Sequence, residues 1–195
     1  MKLILASASP RRAEVLRAAA IGFEALPTET DETRRPQESV ETMTLRLAED
    51  KARAAVARSA PVGEPTIVIG ADTAVEIRGE VFGKPGSAPA AVVMLRKLSG
   101  RTHRVVTGLV VIRLPDGAGR FELETTAVRF ASITTREIEQ YAASGEPLDK
   151  AGAYAIQGIG GRFVEQIDGC YFNVVGLPLA RLYRILKELG WQPDP

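Results

Sequence analysis

Four short segments bring together side chains that could do chemistry. Ser7-Ala8-Ser9-Pro10-Arg11-Arg12 places two hydroxyls and two guanidinium groups where an apolar strand gives way to a helix start. Helix N-termini favour anions, and arginine binds phosphate oxygens in bidentate fashion. An ordinary capped helix with solvated arginines would use the same residues. Asp72, in Gly70-Ala71-Asp72-Thr73, follows the apolar run at residues 66–71 and is expected at the end of a buried strand, where α/β folds place functional groups. A carboxylate there could serve as a general base or hold a divalent metal, or it could cap a turn. Lys84, in Gly83-Lys84-Pro85-Gly86, could meet a phosphate as a point charge or be solvated. The fourth segment, residues 149–161, is glycine-rich, so backbone can approach a ligand closely, and Gln157 could hydrogen-bond a base or sugar.

Several chemistries are excluded. There is no GxxxxGK[ST] loop, and the glycines at 158–161 do not make a dinucleotide fingerprint, because Phe163 stands in place of the third glycine. One cysteine (Cys170) and one histidine (His103) cannot form an intramolecular disulfide or a thiolate–imidazole zinc cage. Any metal would be held by oxygen, which points to magnesium or manganese. His103 reads as a structural histidine, Cys170 as a small packed residue, and Arg34-Arg35 as solvated loop charge. The net charge of +1 provides no global field for nucleic acid or membrane. The N-terminal apolar run at residues 3–6 is far shorter than a signal core, and no stretch approaches a membrane span, so a cytoplasmic protein is expected.

These groups need a scaffold, and the hydrophobic pattern supplies one. Strands are expected at 3–6, 23–26, 66–71, 74–77, 81–82, 163–166 and 171–175. Two longer strands, at 102–114 and 121–130, flank the turn PDGAG. Helices are expected from Pro10, over 40–57, over 88–98 after Ser87, from a Thr134/Glu137 capping box to about Ser144, and from Pro178 to about Leu189. Residues 27–37 read as a polar loop. With 195 residues, 45% of them apolar, the chain suits a single domain, or two lobes around one cleft, with α/β architecture and a mixed sheet.

In order along the chain, SASPRR, the acidic pair at 31–32, AEDKA, IGADT, GKP, LSGRTHRVVTG, DKAGAYAIQG and NVVGLPL closely resemble the motifs of the Maf family of nucleotide pyrophosphatases. The resemblance runs over nearly the full length. It implies an elongated α/β fold with a mixed sheet and a deep cleft between two lobes, related to inosine triphosphate pyrophosphatases. The implied activity is hydrolysis of a nucleoside triphosphate to monophosphate and pyrophosphate with a divalent metal, Mg2+ or Mn2+. By resemblance Asp72 is the proton acceptor, with Glu32 as a second acidic, metal-side group, and Ser7, Arg12, Lys51 and Lys84 as phosphate-binding residues. Arg11, Thr73 and Gln157 match the branch acting on dTTP and UTP, for which modified pyrimidine analogues are expected substrates too. A 7-methyl-GTP or other purine-directed pyrophosphatase is one alternative. A nucleotide-binding regulator of septum formation, needing no turnover, is another. Related proteins suggest a homodimer. The departures, Ala74 and Cys170, do not touch the proposed chemistry.

Overall fold

The computed structural model describes residues 1–59 and 65–193. Its elements are β1 (Lys2–Leu5), α1 (Pro10–Ala18), β2 (Glu24–Ala25), α2 (Val40–Arg58), β3 (Thr66–Ile77), β4 (Glu80–Phe82), α3 (Ala88–Leu98), β5 (Thr102–Leu114), β6 (Gly119–Phe130), α4 (Thr135–Ala143), β7 (Val164–Asp168), α5 (Tyr171–Val175) and α6 (Leu179–Glu188). Three short 3-10 turns lie between α4 and β7. The strands form one seven-stranded mixed sheet in the order β2-β1-β3-β5-β6-β7, with β4 also paired to β3. β1 is parallel to both β2 and β3, whereas β4 runs antiparallel to β3 and β7 antiparallel to β6. The expected α/β architecture with a mixed sheet is therefore observed. Contacts divide the chain into two compact units, residues 1–72, 107–124 and 176–195, and residues 73–106 and 125–175.

In the first unit, α2 lies unusually close to the sheet. A Cβ on Gly70 of β3 would fall 2.2 Å from the carbonyl oxygen of Ala48, and one on Gly108 of β5 would fall 2.3 Å from that of Thr44. Neither position admits any side chain, because the obstacle is helix backbone and not a movable side chain. Thr44, Ala48 and Ala52 recur every four residues, so the helix turns one face of small residues toward the strands. Around this contact Ile4, Ala6, Val68, Val110, Ala48, Ala52 and Ala55 form an apolar cluster. Burial of each large aliphatic member contributes about 1.5–3 kcal/mol. Ser39 caps α2, its side chain accepting from the Thr42 N–H. The last helix, α6, buries Leu182, Ile185 and Leu186 and holds β6 through Arg181, which pairs with Glu122 at 2.6 Å and Glu124 at 2.5 Å.

The second unit has its own core, in which Val75, Phe82, Leu95, Leu98, Phe130, Ile138, Tyr141 and Phe163 pack together. The expected capping box opens α4, with the Glu137 N–H donating to Thr134 Oγ1 and the Thr134 N–H donating back to the Glu137 carboxylate. His103 is buried in edge-on contact with Phe130 and Tyr154, and its Nε2 shares a 2.9 Å hydrogen bond with the Tyr154 hydroxyl. It is a core residue, and burial pulls its pKa from 6.5 down to about 4.

Three elements differ from the sequence reading. Residues 66–71 and 74–77 are not two strands but one, so Asp72 sits within β3 and not at its end. Pairing of Val75, Glu76 and Ile77 with β4 carries the strand onward, and Lys51 satisfies the Asp72 carboxylate, which is then free of any turn-capping duty. Residues 171–175 form a helix where a strand was expected. The Asn173 amide donates to Val105 O and Thr126 Oγ1, while Thr126 Oγ1 also bonds both backbone groups of Cys170. These bonds to β5 and β6 wind the segment despite its aromatic and β-branched residues. The strand expected at 163–166 begins one residue later and extends to Asp168, because Phe163 closes the last 3-10 turn.

Gly70→Ala is expected to destabilise the protein by about 1–3 kcal/mol through backbone overpacking. Gly22→Ala, where no atom lies within 4 Å of the new Cβ, should stay within about 0.5 kcal/mol; urea denaturation of the two variants measures both. A second expectation concerns acid. His103 has a depressed folded pKa, so its contribution is complete above the unfolded value of 6.5 and is lost as pH falls through about 4. Stability measured across that window should decline in the wild type and less steeply in His103→Gln.

Candidate active site

The strand–helix junction after β1 is built around Ser7. The Ala6 N–H donates to Ile69 O on β3 at 2.8 Å, fixing the end of the strand. Ser9 is the N-cap of α1, with Pro10 following, but its side chain makes no capping bond. The hydroxyl used here is that of Ser7, which accepts from the Ser9 N–H at 3.2 Å and from Arg12 Nη1 at 3.0 Å. Arg12 also donates through Nε to Gly176 O at 2.8 Å, so its guanidinium is held in place and buried. Burial lowers its pKa below the ordinary guanidinium value, the negative charges of Asp72 and Glu32 oppose that shift, and the nearby Arg11 charge adds to it. It stays a cation.

Lys51 projects from α2 between Ala48 and Ala52, where the helix presses on the sheet. Its Nζ lies 2.6 Å from Asp72 Oδ1 and 2.7 Å from Glu32 Oε1. Lys51, Asp72, Ser7 and Arg12 are each less than a tenth exposed, whereas the Glu32 side chain is half exposed. Two carboxylates and two fixed cations thus meet at one place. Their charges cancel, which lets the cluster remain largely desolvated.

Of the residues singled out from sequence, Ser7, Arg12, Glu32, Lys51 and Asp72 come together in the first unit. Arg11, adjacent to Arg12 on α1, is half-buried there. Thr73, Lys84 and Gln157 belong to the second unit. Thr73 follows Asp72 on β3 and is half-buried, while Lys84 and Gln157 are exposed. The Lys84 loop is anchored by Gly152 N–H donating to Gly83 O at 3.1 Å and Gly86 N–H donating to Leu148 O at 3.2 Å.

Two charged residues escaped sequence reasoning. Glu38 is buried and accepts both Arg46 Nε at 2.7 Å and Arg46 Nη2 at 2.8 Å. Arg34, read as a solvated charge, is exposed and also donates to Glu38 O through Nε and Nη2. The Arg46 hydrogen bonds, outweighing desolvation, take the Glu38 pKa from 4.5 down to about 2. The available signal was spacing: an acidic residue just before a helix and an arginine two turns inside it.

The fold and this cluster define a class: an α/β protein with a site for an anion beside two carboxylates able to hold a cation. Comparison with known proteins narrows it. The family model described as "Maf-like protein" matches residues 2–189, and the chain belongs to that family. It is 48% identical over 192 residues to the dTTP/UTP pyrophosphatase of Anaeromyxobacter sp. (strain Fw109-5), covering 97% of this chain and 90% of that one. It is 49% identical over 189 residues to the dTTP/UTP pyrophosphatase of Escherichia coli (strain K12), covering 96% and 93%. Among solved structures it resembles a nucleoside-triphosphatase / dITP/XTP pyrophosphatase from Mycobacterium abscessus, at 19% identity, TM-score 0.46 and coverage of 98% and 99%.

The depressed Glu38 pKa sets an acid limit. Its contribution is complete above 4.5 and is lost as pH falls toward about 2. In urea titrations over that range, Glu38→Gln should show lower stability at neutral pH and a flatter acid decline than the wild type.

Proposed function

We propose that the chain hydrolyses dTTP and UTP to the nucleoside monophosphate and pyrophosphate. Near 50% identity to proteins of that name over almost the whole length supports the reading. The structural observation that carries it is Lys51, held at 2.6 and 2.7 Å between Asp72 and Glu32 beside the buried Arg12.

In the reaction a water oxygen bonds to the α-phosphorus, the bond from that phosphorus to the bridging oxygen breaks, and pyrophosphate leaves. Asp72 accepts the proton of the attacking water. Arg12 and Lys51 offset the negative charge of the phosphates, with the Ser7 hydroxyl and the α1 N-terminus as neutral donors. Lys51 exchanges its carboxylate partners for phosphate oxygens when substrate arrives. By the family resemblance alone, Lys84 is assigned to phosphate and Arg11, Thr73 and Gln157 to the choice of pyrimidine nucleotide.

A divalent ion fits this site. The Asp72 and Glu32 oxygens already converge on one cation, the Lys51 ammonium, and hard oxygen donors suit Mg2+ or Mn2+. Among the described residues no cluster of three such side chains occurs. Two carboxylates are nevertheless a usual protein share for Mg2+ bound together with substrate phosphates. When bound, the ion would neutralise phosphate charge and acidify water. No helix among the described residues is long and apolar enough to cross a membrane.

The test is a product-resolved panel of dTTP, UTP, 7-methyl-GTP and ITP with Mg2+ or Mn2+. Pyrophosphate and monophosphate from dTTP and UTP are expected, and Asp72→Asn should cut the rate by about a hundredfold to ten-thousandfold while the protein still melts cooperatively, at a lower temperature because Lys51 loses a buried partner. Orthophosphate and a diphosphate as products would contradict the proposal.

A further inference from the structure

Glu32 contributes to the site from a loop with no regular secondary structure, yet its carboxylate meets Lys51 at 2.7 Å. Something other than a helix or strand must fix it. Thr33, the next residue, has its carbonyl bonded by Arg46 Nη2 at 3.2 Å and its N–H bonded to Asp31 Oδ1 at 2.9 Å. The same Arg46 grips both Glu38 oxygens. Glu38 in turn accepts the Arg35 N–H at 3.0 Å, donates its own N–H to Arg35 O at 3.2 Å, and has its carbonyl capped by Arg34. Residues 33–38 are thus tied to the guanidinium of Arg46, with that of Arg34 closing the loop on the Glu38 carbonyl. Arg46 and Lys51 stand on the same helix, five residues apart, so the loop is referenced to the helix that carries Glu32's partner.

We propose that Glu38 and Arg46 are positioning residues that hold Glu32 in register with Lys51 and Asp72. Arginine is required because its planar fork serves the two Glu38 oxygens and the Thr33 carbonyl together, which the single ammonium of lysine cannot do. Asp50, 3.5 Å from Arg46 Nη1, orients the outer edge of the fork. The inference rests on the reading that Glu32 takes part in hydrolysis, and its test separates the two.

The experiment is a double-mutant cycle on UTP hydrolysis with Glu38→Gln, Arg46→Lys and Glu32→Gln, each alone and combined with Glu32→Gln, alongside melting curves. Glu38→Gln and Arg46→Lys should each lower kcat about tenfold, with KM changed less than about threefold, as expected for loss of one networked interaction. In the Glu32→Gln background the same substitutions should cost almost nothing further, and Glu38→Asp should recover part of the rate. Equal losses in both backgrounds would mean that the pair acts only through general stability, overturning the proposal. Folded Glu38→Gln and Arg46→Lys proteins with wild-type kcat would overturn it as well. A Glu32→Gln variant at wild-type rate would instead remove Glu32 from the chemistry. Arg46→Lys keeps the charge on α2, so the cycle can be completed even if Glu38→Gln folds poorly.

Discussion

The first unit depends on one steric fact: the backbone of α2 rests directly on the sheet at Gly70 and Gly108, with no room there for even a methyl group. A helix normally stands about 10 Å from a strand layer because side chains fill the gap. Removing them at two points on neighbouring strands brings α2 close enough for the buried Lys51 to reach a carboxylate within β3. The small-residue face of the helix and the strand glycines therefore position the cluster.

This approach also explains how the site tolerates its charges. A buried carboxylate or ammonium by itself would be costly, and loss of one partner from a buried pair costs several kcal/mol. Here each ion has a fixed counterpart: Lys51 faces Asp72 and Glu32, and Arg12 is tied to Ser7 and Gly176 O. The groups are held in place by these partners without any ligand. The same arrangement leaves Lys51 paired with both carboxylates, and under the proposed function it exchanges them for phosphate oxygens.

Much of this was readable in the residues. The apolar runs located β1 and β3, Ser87 and Thr134 marked real caps, and the wording of the motifs brought Arg12, Lys51 and Asp72 to attention before any geometry was known. What could not be read has a common cause, namely bonds made by residues distant in sequence. The strand through Asp72 continues because β4 pairs with it and Lys51 satisfies its carboxylate. The helix at 171–175 forms because Asn173 and Thr126 join it to β5 and β6. Glu38 and Arg46 carried no motif that singled them out, and only the folded loop shows them holding each other. Gly70 and Gly108 were visible as glycines, but the helix backbone lying on them was not.

In the proposed reaction Asp72 and its neighbours direct water to the α-phosphorus. Hydrolysis in water enriched with heavy oxygen, followed by mass spectrometry of both products, tests this directly. The label is expected in the nucleoside monophosphate, with unlabelled pyrophosphate. Label appearing in the pyrophosphate would show attack at the β-phosphorus and contradict the assigned chemistry.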